Sequence, residues 1–172
     1  IDLENNIGKD RISKINKGIF PFLSEDKNIP REMKKCYKNK NLFATSSEEN
    51  YSDADVIIIS INCDLDTKAK SIMLNKFSKS CELIAKKITS NTLVIVQSTV
   101  PPGTCEKIIY PIFRDNLIKR KIKLKEFWLA HSYERVMPGR DYFNSITNYW
   151  RVYSGINAIS ANKCESFLNK IV

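Results

Sequence analysis

The sequence of 172 residues predicts a doubly wound α/β fold around a parallel sheet. Two apolar runs, within residues 56–61 and 93–97, are rich in Val and Ile, as strands buried on both faces of a parallel sheet require. Apolar residues at helical spacing follow each run, and a third apolar run begins at Phe127. Strands and helices that alternate at this spacing favour one sheet with right-handed crossovers.

Upstream of the first clear strand, weaker patterns predict short elements. These are a helix carrying Ile7, Ile12 and Ile15 that stops at Gly18, a basic helix over residues 31–38 after Pro30, a strand over 42–45, and a turn capped by Ser46 or Ser47 that runs to Tyr51.

From Asp55 onward the alternation is clear. The expected order is a central strand over residues 56–61, a helix over 68–88, a strand over 93–97, a helix after Thr104, a strand over 127–130, a helical turn over 141–146, a strand over 150–154 and a helix over 160–171. The buried stripe of the first helix is expected to contain Met73, Phe77, Cys81, Ile84 and Ile88. Thr104 is expected to cap the next helix, and Pro111 to kink or restart it.

Composition narrows the class of protein. Hydrophobic residues make up 42% and charged residues 27%, a globular balance. No apolar run approaches the roughly 20 residues of a membrane span, and the start does not resemble a signal peptide, so we expect a soluble cytoplasmic protein without a membrane partner. The net charge is +9, but most of the lysines are scattered along the sequence. The dense basic cluster at 119–125 is interpreted as a solvated loop that leads into a strand. A nucleic-acid partner is therefore not expected.

The five cysteines do not form a metal-binding pattern. There is no CxxC, and the odd, scattered set is typical of reduced thiols, so no metal is expected. Cys81 is expected in the core, and structural roles are also expected for Cys63 and Cys105, although both follow strand ends. The sequence further predicts a structural role for His131 and core positions for Trp128 and Trp150.

Polar side chains follow two predicted strands at the same edge of the sheet. Gln97, Ser98 and Thr99 end one strand, and residues 62–64 (Asn, Cys, Asp) end its neighbour. Ligands bind outside the carboxyl ends of strands in open α/β sheets. The sequence therefore predicts an active-site edge that carries the Ser98 and Thr99 hydroxyls.

The start of the chain suggests a dinucleotide-binding unit. An acidic residue after an apolar one, ahead of a helix, is how the second strand of such a unit ends, and Asp2 would then accept hydrogen bonds from the adenosine ribose. The glycine-rich turn GxGxxG, whose amides meet the pyrophosphate, does not occur in the sequence. We expect that turn and its strand to lie upstream of Ile1, so that the domain is incomplete at its N-terminus.

Residues 97–104 read QSTVPPGT, and residues 131–140 read HSYERVMPGR. Together they resemble the ESTVPPGT-like and SPERVMPG segments of the UDP-glucose/GDP-mannose dehydrogenase family. The NKG turn at 16–18, the strand at 54–61 and the stretch 151–155 are similar to family segments in the same order. The SPERVMPG form resembles the branch that oxidises N-acetylated nucleotide sugars.

The resemblance implies that residues 1–172 are the Rossmann-like NAD-binding domain of a nucleotide-sugar 6-dehydrogenase. The first strand, the glycine-rich loop, the central helix and the sugar-nucleotide domain would be absent. Such enzymes oxidise the C6 hydroxyl of a UDP-sugar to a uronic acid with two NAD, through a thioester on a cysteine of a later motif. The resemblance also implies a UDP-N-acetylhexosamine or UDP-glucose as substrate, surface polysaccharide synthesis as the use of the product, and a homodimer formed through the central helix.

Site residues follow from the same resemblance. Thr99 matches the threonine that positions a water near the sugar carbon, and Glu134 matches the glutamate that activates the hydrolytic water. The role of Glu134 requires hydrogen-bond reach and a raised pKa, which Arg135 would oppose if the two side chains paired. The implied cofactor residues are Asp2, Ser98, Thr99, Val100 and Glu134, and the implied substrate residues are Glu134, Arg135 and Val136.

The sequence departs from the family at three places. Gln97 replaces a glutamate that many members have, residues 62–64 replace a threonine-proline pair, and Tyr133 replaces a proline. Two other functions stay open at this point: a non-catalytic basic α/β binding module, and a Rossmann dehydrogenase of the β-hydroxyacid type. Because strands beside the absent one would expose unpaired edges, we expect the isolated segment to be inactive and to be unstable or to aggregate.

Overall fold

A computed structural model describes residues 1–63, 65–66 and 71–171 of the chain. The α-helices within these residues are α1 (Asn6–Ile15), α2 (Asn28–Lys38), α3 (Asn75–Lys87), α4 (Tyr110–Lys119), α5 (Tyr142–Asn148) and α6 (Ala158–Leu168). The strands are β1 (Val56–Ile59), β2 (Leu65–Asp66), β3 (Ser71–Ile72), β4 (Thr92–Val96), β5 (Phe127–His131) and β6 (Ser154–Gly155). Short 3₁₀ turns lie at Glu48–Tyr51 and Leu124–Glu126, and a π-helical turn at Cys105–Ile109.

The chain divides into two compact units. The first contains residues 1–48 and 135–149, and the second contains residues 49–134 and 150–171.

The second unit is built on a four-stranded sheet with the order β1-β4-β5-β6. β1, β4 and β5 are parallel, and β6 runs antiparallel to β5. Ile59 lies opposite Val96, and Val96 lies opposite His131, so the three parallel strands end level with one another. β2 and β3 form a separate antiparallel pair.

Helices cover both faces of this sheet, which confirms the doubly wound α/β prediction. On one face, α3 and α4 pack together, and Phe77, Phe113 and Leu129 lie in the larger hydrophobic core. Phe113 stacks on Phe127 with ring centroids 5.0 Å apart. On the other face, α6 packs against β4, β5 and β6, with Cys164 and Leu168 in a smaller core. β4 is buried at every position, as its unbroken apolar run predicts.

β1 differs from the prediction of a central strand buried on both faces. Within the described sheet it pairs with β4 and forms the edge, and 43% of the Ile58 side chain is exposed. Ile57 and Ile59 are buried because they face α3 and α4, whereas Ile58 points to the opposite face, where α6 packs chiefly on the other strands. The strand type was predictable from its β-branched residues, but its place in the sheet was not.

α3 is shorter than predicted. It begins at Asn75, and Ser71–Ile72 is a strand, while residues 67–70, where the predicted helix would begin, lie outside the described residues. Phe77, Cys81, Ile84 and Ile88 are buried as expected, but Met73 precedes the helix and is exposed.

The guanidinium of Arg120 closes the end of α3. Its Nη1 donates to the carbonyl oxygens of Ala85 at 3.0 Å and Ile88 at 2.7 Å. These are carbonyls that the last turn of a helix leaves without a backbone donor. Residues 119–125 were predicted to be a solvated loop, but Lys119 ends α4 and both Ile122 and Leu124 pack against the larger core.

The helix after β4 starts differently from the prediction. Thr104 is buried, has helical backbone angles (φ −59°, ψ −43°) and makes no side-chain capping bond, so it is not a cap. The π turn gives way to α4 at Tyr110, one residue before Pro111. Because proline has no N–H, a change of helix type at this point is physically reasonable and agrees with the predicted restart.

The first unit contains α1, α2 and α5. α1 ends before Gly18, which adopts φ +69° as a helix stop requires. The strand predicted over 42–45 is not formed. Ala44 instead exchanges two hydrogen bonds with the side chain of Asn16, and the Thr45 carbonyl accepts from Asp2 N–H.

Asp26 holds two helices of the first unit. It is buried, and its carboxylate accepts from the backbone N–H of Asn28 in α2 at 2.8 Å and of Phe143 in α5 at 2.7 Å. The hydrogen bond from Phe143, followed by that from Asn28, lowers the pKa of Asp26 below its ordinary value. Asp26 gave no distinctive signal in the sequence.

The strand predicted over 150–154 is reduced to β6, and Trp150 is 87% exposed rather than in the core. β6 pairs antiparallel with the end of β5, so it contributes only two residues to the sheet.

Candidate functional site

An open cleft lies at the carboxyl ends of β1 and β4. We call it the strand-tip cleft; it has a volume of ≈ 470 Å³. Its lining residues are Ser60, Ile61, Asn62, Cys63, Gln97, Ser98, Thr99 and Glu134. Because the parallel strands end level, residues that follow β1, β4 and β5 in sequence come together at this point.

The carboxylate of Glu134 is held by two donors. Gln97 Nε2 donates to Oε2 at 2.8 Å, and Arg151 Nη1 donates to Oε1. The Glu134 backbone N–H also donates to the Gln97 carbonyl, at 3.3 Å. The Arg151 side chain is only 9% exposed and that of Glu134 28%, so this ion pair is shielded from water. The structure pairs Glu134 with Arg151, a partner that the sequence did not suggest.

Thr99 and Ser98 have different environments at the tip of β4. Thr99 is exposed and lines the strand-tip cleft with Glu134. Ser98 is buried, and its hydroxyl accepts from Ile61 N–H at 2.8 Å and donates to the Ile59 carbonyl at 3.3 Å. These bonds tie β4 to β1, so the Ser98 hydroxyl serves the scaffold of the cleft.

A second cleft, the turn cleft, has a volume of ≈ 570 Å³. It is lined by residues 100–106 of the Pro-Pro-Gly turn and by residues 129–131, 133 and 154–156. Val100, predicted to flank the nicotinamide, lines this cleft and packs partly against the larger core. His131 lines it too, and its Nε2 lies 3.3 Å from the Ser98 carbonyl. Since a carbonyl only accepts, a hydrogen bond at this position requires the proton on Nε2.

The other predicted site residues belong to the first unit. The Asp2 carboxylate accepts from the backbone N–H of Leu3 at 2.7 Å and pairs with Arg11 at 3.5 Å. Arg135 is exposed and Val136 is half-buried in the loop after Glu134. Asp64, part of the predicted polar cluster after β1, lies outside the described residues.

The buried thiols are suited to packing rather than to nucleophilic chemistry. Burial raises the pKa of Cys81 to about 12, and the nearby thiols of Cys105 and Cys63 add to this shift. Burial also raises the pKa of Cys105 and of Cys164 to about 11 each. These three thiols are protonated at neutral pH, whereas a nucleophilic cysteine reacts as the thiolate.

Two further findings concern the described residues alone. Across 1–63, 65–66 and 71–171, no cluster of His, Cys, Asp and Glu has an arrangement that could hold a metal ion. No helix in this part of the chain has the length and apolar character needed to cross a bilayer.

The lining of the strand-tip cleft has the chemical character that a ribose or a carboxamide needs. Ser60 and Thr99 offer hydroxyls and Asn62 offers an amide, so the lining contains both donors and acceptors. The volume of the cleft is also within the usual range of small-molecule sites. The fit does not extend to the pyrophosphate, because residues 1–172 contain no GxGxxG turn.

Comparison with known proteins assigns the chain to a family. The family model "UDP-glucose/GDP-mannose dehydrogenase family, NAD binding domain" matches residues 4–168. UDP-N-acetyl-D-mannosamine dehydrogenase of Pyrococcus horikoshii is 29% identical over 170 residues, which cover 97% of this chain and 38% of that protein.

Solved structures give the same fold. The crystal structure of NDP-N-acetyl-D-galactosaminuronic acid dehydrogenase from Methanosarcina mazei Go1 superposes with a TM-score of 0.89 at 20% identity, over 99% of this chain and 36% of that one. The structure of UDP-D-ManNAc dehydrogenase from Pyrococcus horikoshii gives a TM-score of 0.83 at 26% identity, over 99% and 38%. The chain therefore spans between a third and two fifths of the length of these proteins.

Proposed function

The chain belongs to the UDP-glucose/GDP-mannose dehydrogenase family, and we propose that the full protein oxidises the C6 hydroxyl of a UDP-sugar to a carboxylate with NAD. The residues described above are its NAD-binding domain. The observation that carries the proposal is that Thr99 and the carboxylate of Glu134 line one cleft at the carboxyl ends of parallel strands.

NAD, when bound, supplies the hydride acceptor for the oxidation. Ser60, Asn62 and Thr99 would hold its nicotinamide end. The Thr99 hydroxyl can donate one hydrogen bond and accept another at the same time. It would therefore hold a water molecule beside the sugar carbon. That water molecule would take the proton that leaves the C6 hydroxyl of the sugar.

Glu134 would act at the last step, the hydrolysis of an acyl-thioester. Its carboxylate takes a proton from a water molecule, whose oxygen forms a bond to the acyl carbon. The carbon–sulfur bond then breaks, and the sulfur leaves as a thiolate while the carboxylate product forms. We assign the thiol to a later motif of the full protein, as the resemblance to the family implies.

The substrate class is an N-acetylated UDP-hexosamine, with UDP-glucose as the alternative sugar. The HSYERVMPGR segment and the similarity to a UDP-N-acetyl-D-mannosamine dehydrogenase support the N-acetylated class. We further propose a cytoplasmic homodimer whose product is a uronic acid donor for surface polysaccharide.

The test uses the purified full-length protein with NAD and each of three sugars: UDP-N-acetylmannosamine, UDP-N-acetylglucosamine and UDP-glucose. We expect two NADH for each sugar consumed, with kcat/KM highest for one of the N-acetylated sugars. Thr99→Ala is expected to lower kcat, because the ordered water loses its partner, while Thr99→Ser retains the hydroxyl and most of the rate.

Absence of NADH with every UDP-sugar would refute the proposal. Activity with a β-hydroxyacid instead would identify a different Rossmann dehydrogenase. Binding of a polyanion that weakens steeply with salt, without any oxidation, would favour a basic binding module.

A further inference from the structure

We propose that Arg151 and Gln97 are positioning residues that hold the Glu134 carboxylate in its reactive orientation. This inference rests on the proposed function. It concerns a cluster that we call the Glu134 clamp: Gln97, Glu134 and Arg151.

The clamp joins chain segments that are distant in sequence. Gln97 directly follows β4, Glu134 lies three residues after β5, and Arg151 lies in the stretch that leads to β6. Gln97 and Glu134 are connected twice, by the side-chain bond at 2.8 Å and by the backbone bond from Glu134 N–H to the Gln97 carbonyl. Both oxygens of the carboxylate therefore have a fixed direction relative to the tip of β4.

Arg151 differs from the other ion-paired cations of the described residues. The other salt bridges have lysine or arginine side chains that are at least one third exposed, whereas the Arg151 side chain is 9% exposed. Exposed ion pairs contribute little, but a guanidinium removed from water requires a hydrogen-bonded counter-ion. The planar fork of Arg151 restricts the rotation of the Glu134 carboxylate.

The clamp is compatible with a water molecule at the carboxylate. An ionised carboxylate can accept about four hydrogen bonds. Gln97 and Arg151 supply one donor to each oxygen, so a hydrogen bond from a water molecule is compatible with the clamp. An acid–base group must be placed within hydrogen-bond reach, and a misplacement of about 1 Å can cost a factor of about 100 in rate. The two donors therefore determine whether Glu134 reaches the water that attacks the thioester.

The experiment measures pre-steady-state NADH formation by the full-length protein with UDP-N-acetylmannosamine. The variants are Gln97→Met and Arg151→Met, which keep much of the side-chain volume without the donors, and Arg151→Lys, which keeps the charge. The matched control is Arg114→Met, since Arg114 pairs with Asp115 on the exposed side of α4. Thermal melting of each variant is recorded alongside.

We expect Gln97→Met and Arg151→Met to retain the initial burst of NADH, because the hydrides leave before hydrolysis. The later steady-state rate should fall roughly 10- to 100-fold, with Arg151→Lys in between and KM for the sugar changed little. Arg114→Met should retain both phases. A burst and a steady rate that fall together would show a general structural effect and would overturn the proposal, as would an unchanged steady rate in Gln97→Met.

A double-mutant cycle tests whether Arg151 acts through Glu134. If Arg151 acts through Glu134, then the double variant Glu134→Gln with Arg151→Met should have the steady-state rate of Glu134→Gln alone, within about twofold. Multiplicative losses would overturn the proposal. If Arg151→Met does not fold, the same cycle is carried out with Gln97→Met. Gln97 is half-buried and uncharged, so its replacement should disturb folding less. Failure of the wild-type protein to form NADH would instead refute the proposed function, so the two failures are distinguishable.

Discussion

Replacing Ser98 by alanine removes the hydroxyl that ties the tip of β4 to β1. The hydroxyl accepts from Ile61 N–H at 2.8 Å and donates to the Ile59 carbonyl at 3.3 Å. The Ile59 carbonyl keeps two backbone donors, Gln97 N–H at 2.8 Å and Ser98 N–H at 3.1 Å. Losing the hydroxyl donor therefore costs this carbonyl little free energy. Ile61 N–H loses the hydroxyl as its acceptor and accounts for most of the cost.

The cost follows from this difference. A buried N–H that loses its partner costs about 1–3 kcal/mol, and Ile61 is half-buried, so water compensates in part and we expect about 1 kcal/mol. For a domain of this size that corresponds to a fall in melting temperature of about 2–4 °C. The local opening of the Ile61 amide should become about fivefold more frequent.

Hydrogen exchange of the full-length protein, followed for the Ile61 amide, measures this effect directly. Ser80→Ala is the control, since the Ser80 hydroxyl only donates to the Lys76 carbonyl on an exposed helix face. Unchanged protection of Ile61 in Ser98→Ala, or an equal change in Ser80→Ala, would refute the role assigned to Ser98.

The other predictions concern the two units separately. Arg120→Ala leaves the last carbonyls of α3 without their guanidinium donor and should lower the stability of the second unit by about 1 kcal/mol, measured by urea unfolding, with Lys119→Ala as an exposed control. Asp26 has a folded pKa below its ordinary value of 3.8, so its stabilisation is present above that value and is lost as the pH falls through the folded pKa. Asp26→Asn should therefore lower the melting temperature at neutral pH. As the pH is lowered, the melting temperature of this variant should decrease less steeply than that of the wild type. An equally steep acid dependence in Asp26→Asn would contradict this assignment.

Strand type was predictable from local sequence, but strand position was not. The β-branched runs at β1 and β4 identify strands because such side chains fit a pleated, buried surface. Whether a strand is central depends on which neighbours it pairs with, and the exposed Ile58 shows that β1 has an edge position in the described sheet. Residue type alone does not contain that information.

Part of the candidate site was visible in the sequence for a simple reason. Residues that follow parallel strands meet at one edge, so Gln97, Thr99 and Glu134 were predictable neighbours. The pairing of Glu134 with Arg151, 17 residues further on, was not predictable. It depends on where the chain returns to the sheet before β6.

Some local predictions were wrong because the residues make other interactions than the predicted ones. A strand over 42–45 would need a neighbouring backbone, but the Asn16 side chain makes the Ala44 hydrogen bonds instead. Thr104 was expected to act as a cap, yet its own backbone is already helical, so its side chain is not needed there. Asp26 escaped notice because its partner Phe143 is remote in sequence.

Glu134 is proposed to release the product, and intact-protein mass spectrometry tests this role most directly. Full-length Glu134→Gln, incubated with NAD and UDP-N-acetylmannosamine, should accumulate a covalent acyl adduct on one cysteine, while the wild-type protein turns over without it. A Glu134→Gln variant that forms the free carboxylate product at the wild-type rate, with no adduct, would contradict the account.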